Sequence, residues 1–133
     1  MNVLELTGRV LEEVDGTAAP GSWIFRFGQG YVLSVGCTWR LVAEQRVVLA
    51  GDDHQQLFGL KEPLDAVARA TSYLQGKPIT GASIDSTGDV TLTFEGGTRL
   101  ETFTDSCGYE SCSIHLGPQR QLIVVGGGEV VEF

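Results

Sequence analysis

Three stretches of this 133-residue chain hold side chains capable of chemistry. Cys107, Cys112 and His115 form a C-x4-C-x2-H cluster, and thiolate with imidazole is the donor set that zinc prefers. The paired C-x2-C knuckle is absent, and only Cys37 or His54 could complete a set of four from elsewhere in the chain. The same residues also read as a nucleophile with its base. Cys107 or Cys112 would act with His115 or His54, oriented by Asp52, Asp53 or Asp105. On an extended strand, however, residues three apart point to opposite faces, so Cys112 and His115 are badly placed to share a proton. Packed or reduced surface thiols account for the cysteines more simply than a metal site or a Cys107 to Cys112 disulfide, and no metal or cofactor is expected.

Gly51-Asp52-Asp53-His54 puts two carboxylates and an imidazole just after a strand-like run, where a divalent-ion or acid-base site could be built. It lacks the D-x-[DN]-x-[DN]-G pattern of a calcium loop, and an exposed polar turn explains it. Gly126-Gly127-Gly128 resembles a phosphate cradle only in composition. A cradle opens a helix, whereas Val130-Val131-Glu132-Phe133 continues as strand, so a turn or bulge is expected. The loop best suited to recognition is Asp105-Ser106-Cys107-Gly108-Tyr109-Glu110-Ser111, which displays an aromatic among acids. Trp39-Arg40 holds the equivalent place after an earlier hairpin, which suggests an Arg40 to Glu110 pair. The binding residues expected from this reading are Asp52, Asp53, Asp105, Tyr109 and Glu110. The acids would steer approach and the tyrosine would anchor.

The elements that must position these residues are mostly β. Ser22 to Phe27, Gly28-Gln29-Gly30 and Tyr31 to Val35 read as a hairpin, and Asp89 to Phe94, Gly96-Gly97 and Thr98 to Phe103 repeat the pattern. Further strands are expected at Trp39 to Ala43, Arg46 to Ala50, Ser111 to Leu116, Gln121 to Val125 and Glu129 to Phe133, about ten in all. One helix is predicted from about Pro63 to Leu74, with Leu64, Val67, Ala68, Thr71 and Leu74 on one stripe and Gly76 at its end. Phe27, Gly30 and Leu33 recur as Phe94, Gly97 and Leu100 at a constant offset, which suggests two similar β-hairpin units, 1–60 and 74–133, flanking the helix. The expected class is α+β, mostly antiparallel β, in one domain spanning 1–133.

Composition narrows the function classes. With 42% hydrophobic and 20% charged residues the chain is neither disordered nor rich enough in apolar runs to span a bilayer as helix. Nine Lys and Arg against seventeen Asp and Glu give a net charge of -8, the wrong sign for phosphate backbones. The basic residues are scattered singly along the chain, so nucleic acid is not an expected partner, and neither is a membrane. Met1-Asn2-Val3-Leu4-Glu5-Leu6 has no basic leader region, and three cysteines do not make a disulfide framework, which together point to the cytoplasm.

The run from Trp39-Arg40-Leu41-Val42 through Phe58-Gly59-Leu60 and the helix to Leu92-Thr93-Phe94, ending in Gly108-Tyr109-Glu110, resembles small bacterial domains of the immunity-protein type that neutralise polymorphic toxins. The resemblance rests on β patterning over most of the chain. Cys112 stands where a tryptophan follows the Tyr-Glu loop in such domains. It implies a non-enzymatic protein that occludes a basic toxin-like partner with acidic loops. Two other classes fit the residues. One is a small-ligand-binding domain or enzyme with a pocket between the β units, lined by Trp23, Phe25 and Tyr31. The other is a structural module that dimerises through an exposed edge such as Val130 to Phe133.

Overall fold

The computed structural model describes the backbone of residues 1–133 and every side chain except that of Ala18. In chain order it contains β1 (Glu13–Ala19), β2 (Ser22–Arg26), β3 (Tyr31–Val35), β4 (Thr38–Ala43) and β5 (Arg46–Ala50), then α1 (Ala66–Leu74). There follow β6 (Ile79–Ile84), β7 (Val90–Phe94), β8 (Arg99–Phe103), β9 (Cys112–Leu116), β10 (Gln121–Val124) and β11 (Val130–Glu132). All strand pairs are antiparallel, in a six-stranded sheet ordered β1-β2-β3-β9-β10-β11 and a five-stranded sheet ordered β5-β4-β8-β7-β6. The chain is thus mostly antiparallel β with one helix.

Alternation along the strands explains the two layers. In β2, β7 and β8 every second residue is buried, so each sheet turns one apolar face inward. Register then lines those residues up across the strands. Val14, Phe25, Leu33, Ile114 and Leu122 form one transverse row. Ala82, Leu92, Leu100, Leu41 and Leu49 form the other. All ten are buried, in a single core cluster where Phe25 meets Trp39 edge-on with ring centroids 5.2 Å apart. Full burial of a Leu or Phe is worth about 1.5–3 kcal/mol, so these rows contribute a large share of what holds the two sheets together.

Two devices close the open flanks. α1 packs on β1 and β5, the outermost strands on one side. On the other side the N-terminal segment joins β6, through the Asn2–Ser83 bridge and the Val3 N–H donating to Ala82 O at 2.9 Å. Arg120 pairs with both Glu5 and Glu132, tying that segment to the edge of the six-stranded sheet.

The helix starts at Ala66, three residues later than the Pro63 start predicted from sequence, because Asp65 caps it: its Oδ1 accepts from Ala68 N at 3.1 Å. Its buried stripe is Ala66, Ala70 and Leu74, with Val67, Thr71 and Tyr73 half-buried, and Ala68 faces solvent instead of the core. The strand count is eleven. β1 and β6 escape prediction because Gly16, Gly81 and Ser83 break their alternation and each strand carries a register shift. The Gly126–Gly128 stretch is a short 3-10 turn, not a cradle. A Cβ on Gly128 would overlap the Thr87 carbonyl oxygen, so glycine lets the turn of one sheet touch the β6–β7 turn of the other. No helix is long and apolar enough to cross a membrane.

Candidate functional site

The chain passes between the sheets twice. Gly36-Cys37 joins β3 to β4, and residues 104–111 join β8 to β9. Both crossings lie at one end of the sandwich, with the 3-10 turn Gly51–Asp53 that follows β5. Asp105 fastens the longer crossing to the shorter: its Oδ2 accepts from Thr38 N at 3.1 Å and from Thr38 Oγ1 at 2.9 Å. Ser106 shapes the loop tip, its Oγ accepting from the N–H groups of Gly108 and Tyr109 at 3.1 and 2.9 Å. Tyr109 is thereby held out in solvent, 83% exposed, while the backbone beside it is fixed.

Of the five residues predicted to bind, Asp52 lines one small cleft of about 60 Å³ together with Thr38, Trp23 and Trp39. Glu110 lines the neighbouring groove of about 400 Å³, which shares Trp23. Asp105 joins them through Thr38. Asp53 is partly committed to structure, since its Oδ2 accepts from Ala50 N at 2.9 Å. His54 is likewise structural. Its Nδ1 accepts from Ala66 N at 3.0 Å, which satisfies a first-turn N–H of α1, and its ring meets Trp23 edge-on at 5.4 Å. That lone pair is taken and is not presented as a base or metal ligand.

The thiols also part company. Cys112 is buried, and burial pushes its thiol up to about 12. Cys37, raised for the same reason, is half-buried near it, and Cys107 is exposed. His115 lies on the outer face of β9 while Cys112 and Ile114 face the core. No cluster of three potential metal ligands occurs among the described residues.

Two specific sequence expectations fail. Arg40 does not reach Glu110. The β4–β8 register sets it opposite Glu101, and its Nε donates to Glu101 Oε1 at 2.8 Å. Nor do Trp23, Phe25 and Tyr31 line one cavity. Phe25 is wholly buried between the sheets, Trp23 sits at the crossover end, and Tyr31 lies under the Arg9 guanidinium, 3.6 Å from the ring centroid, near the opposite end. β11, the edge considered for dimerisation, is three residues long, and its Glu132 is paired with Arg120.

Sequence reasoning missed several polar groups at the crossover end. Trp39 Nε1, Thr104 Oγ1 and Ser111 Oγ are buried without a hydrogen-bond partner, and all three belong to this end of the sandwich. No spacing rule in the sequence signals them. The β6–β7 turn contributes Asp85 and Asp89 at the same end: Asp85 Oδ1 accepts from Thr87 Oγ1 at 2.9 Å, and Asp89 Oδ1 accepts from Thr104 N at 2.8 Å. Their signal was present in Asp85-Ser86-Thr87-Gly88-Asp89, a stretch with turn chemistry.

The chain matches no protein-family model, no curated protein and no solved structure.

Proposed function

We propose that this chain is a non-enzymatic binding protein whose crossover end docks a basic protein domain, in the manner of an immunity protein occluding a toxin. The observation that carries the reading is the charge of that end. Its turns and crossings bear Asp52, Asp53, Asp85, Asp89, Asp105, Glu110 and Glu129, and no lysine or arginine lies in residues 20–21, 36–37, 51–54, 85–89, 104–111 or 125–129. Tyr109 stands out from this surface as an aromatic anchor, with the acids steering the approach of a cationic partner. The three unpartnered buried polar atoms at the crossover end favour function there, since such groups are otherwise rare in folded proteins. Three free thiols accord with a reducing, cytoplasmic setting.

We infer that the fold consists of two similar units, 1–60 and 74–133. β1 to β3 run side by side in one sheet before β4 and β5 cross to the other, and β6 to β8 do the same before β9 and β10 cross back. Phe27 and Phe94, equivalent under the repeat, stack with centroids 6.4 Å apart at 28°.

The test takes a basic toxin domain as partner, sought first among the genes that neighbour this one. Its association rate should fall about tenfold or more between about 50 and 300 mM salt, and Tyr109→Ala should speed dissociation. An on-rate indifferent to salt, or no complex with such a domain, removes the proposal.

A further inference from the structure

We propose a second site at the opposite end of the sandwich, a cationic cavity that binds a small phosphomonoester. A cavity of about 530 Å³ opens between the β4–β5 turn, the C-terminal half of α1 and the β7–β8 turn. Arg46, Arg69 and Lys77 line it, with Glu44 as the one carboxylate among the lining residues. Arg46 comes from β5 and Arg69 and Lys77 from α1 and the turn after it, yet they gather around one concavity in a chain of net charge -8. None of them makes an ion pair among the described residues, whereas Arg26, Arg40, Arg99 and Arg120 all do. Three cations facing one concavity with a single carboxylate among them leave a surplus of positive charge there, which an anion seated between them neutralises.

The lining specifies the anion further. Two planar guanidinium forks and one ammonium suit the several oxygens of a phosphate dianion, whose charge balances three cations less one carboxylate. Thr98, only 4% exposed, lines the cavity with a hydroxyl that makes no side-chain hydrogen bond among the described residues. Two of the carbonyls at the end of α1 are already occupied: Thr71 O accepts from Gln75 N at 2.8 Å and Leu74 O from Lys77 N at 3.2 Å. The space exceeds what a bare phosphate fills, and Tyr73, Val47 and Val48 offer an apolar wall for an organic body. A nucleic acid does not fit, because a polyanion needs a continuous cationic track, and Arg26, Arg99 and Arg120, outside the cavity, are already paired with Glu13, Glu101, Glu5 and Glu132.

The two-residue β4–β5 turn forms part of the rim. Glu44 and Gln45 both take left-handed backbone angles, φ 52° and 63°, as such a hairpin turn requires, where Asn-Gly is the favoured pair.

Titration of the full chain with inorganic phosphate, phenyl phosphate and phenol, followed by amide chemical shifts at constant ionic strength, tests the proposal. Both phosphates should saturate, phenyl phosphate the more tightly, with shifts confined to residues 43–48, 69–77 and 96–98, and phenol should give none. Arg69→Gln and Lys77→Gln should each weaken phenyl phosphate about tenfold, as loss of one charge-assisted hydrogen bond predicts. Both variants should keep the unfolding temperature of the unliganded protein, since Arg69 is exposed and Lys77 only half-buried. No saturable shift below about 20 mM phenyl phosphate, equal affinity in the variants, or shifts centred elsewhere overturns it.

Discussion

Cys112 shows how one atom's surroundings override its chemistry. Buried against the core and raised to about 12, its thiol has almost no thiolate at neutral pH, although sequence spacing alone offers it as nucleophile or ligand. Titration with a disulfide reagent at pH 8 should therefore find Cys107 reacting at once and Cys112 reacting only after unfolding. Immediate reaction of all three thiols would contradict the burial seen here. Glu101 gives a pH dependence with a definite sign. Burial pushes its carboxyl up, but hydrogen bonds and charge from Arg40 and Arg99 outweigh this and leave it below the usual carboxylate range. A group whose pKa is lowered on folding stabilises the protein above its unfolded value and loses that contribution as pH falls through the folded one. Glu101→Gln should flatten the loss of stability below about pH 4.5, measured by urea unfolding across pH 3–6. Gly128→Ala forces a Cβ into the Thr87 carbonyl at a backbone angle of φ 97° and should cost about 3 kcal/mol or more. An unchanged midpoint in thermal unfolding would show that the two turns do not touch as described.

At the scale of elements, the β4–β5 turn is the one most plainly at odds with its residues. Gln45→Gly places the permissive residue at φ 63° and should raise stability by about 1 kcal/mol, read as a higher unfolding temperature. If the turn is instead relaxed, glycine lowers that temperature through the entropy of the unfolded chain. Elements with strong local signals were legible. The Gly28-Gln29-Gly30 and Gly96-Gly97 hairpins stand where alternation and glycine put them, and β5 spans the Arg46 to Ala50 run. Elements held by neighbours were not. β1 and β6 are weak strands locally and persist because β2 and β7 supply their hydrogen bonds. The helix start moved because Asp65 caps more effectively than Pro63 starts.

Over the whole molecule, the cations avoid the turns of the crossover end. Acids occupy turns at both ends, Glu44 and Glu95 at the far one, but Lys77 and Arg120 lie in turns of the far end alone and Arg46 opens β5 there. A partner steered to the acidic end should therefore bind at the same rate when Arg46, Arg69 and Lys77 are changed to glutamine, apart from the general effect of net charge, and more slowly when Asp105 and Glu110 become amides. Stopped-flow association at low salt distinguishes the two sets, and equal slowing by both would mean that only total charge matters.

The chain's own residues determined its antiparallel β character, its two glycine-turned hairpins, its single helix and its acidity, because alternation, turn chemistry and composition act over a few neighbours. Pairing between β3 and β9 and between β4 and β8 was decided only in three dimensions, and with it which charges meet: Arg40 took Glu101 instead of Glu110, and Arg46, Arg69 and Lys77 converged from scattered places. Contacts between residues dozens of positions apart depend on register and on the packing of one sheet against the other, and no local pattern encodes either.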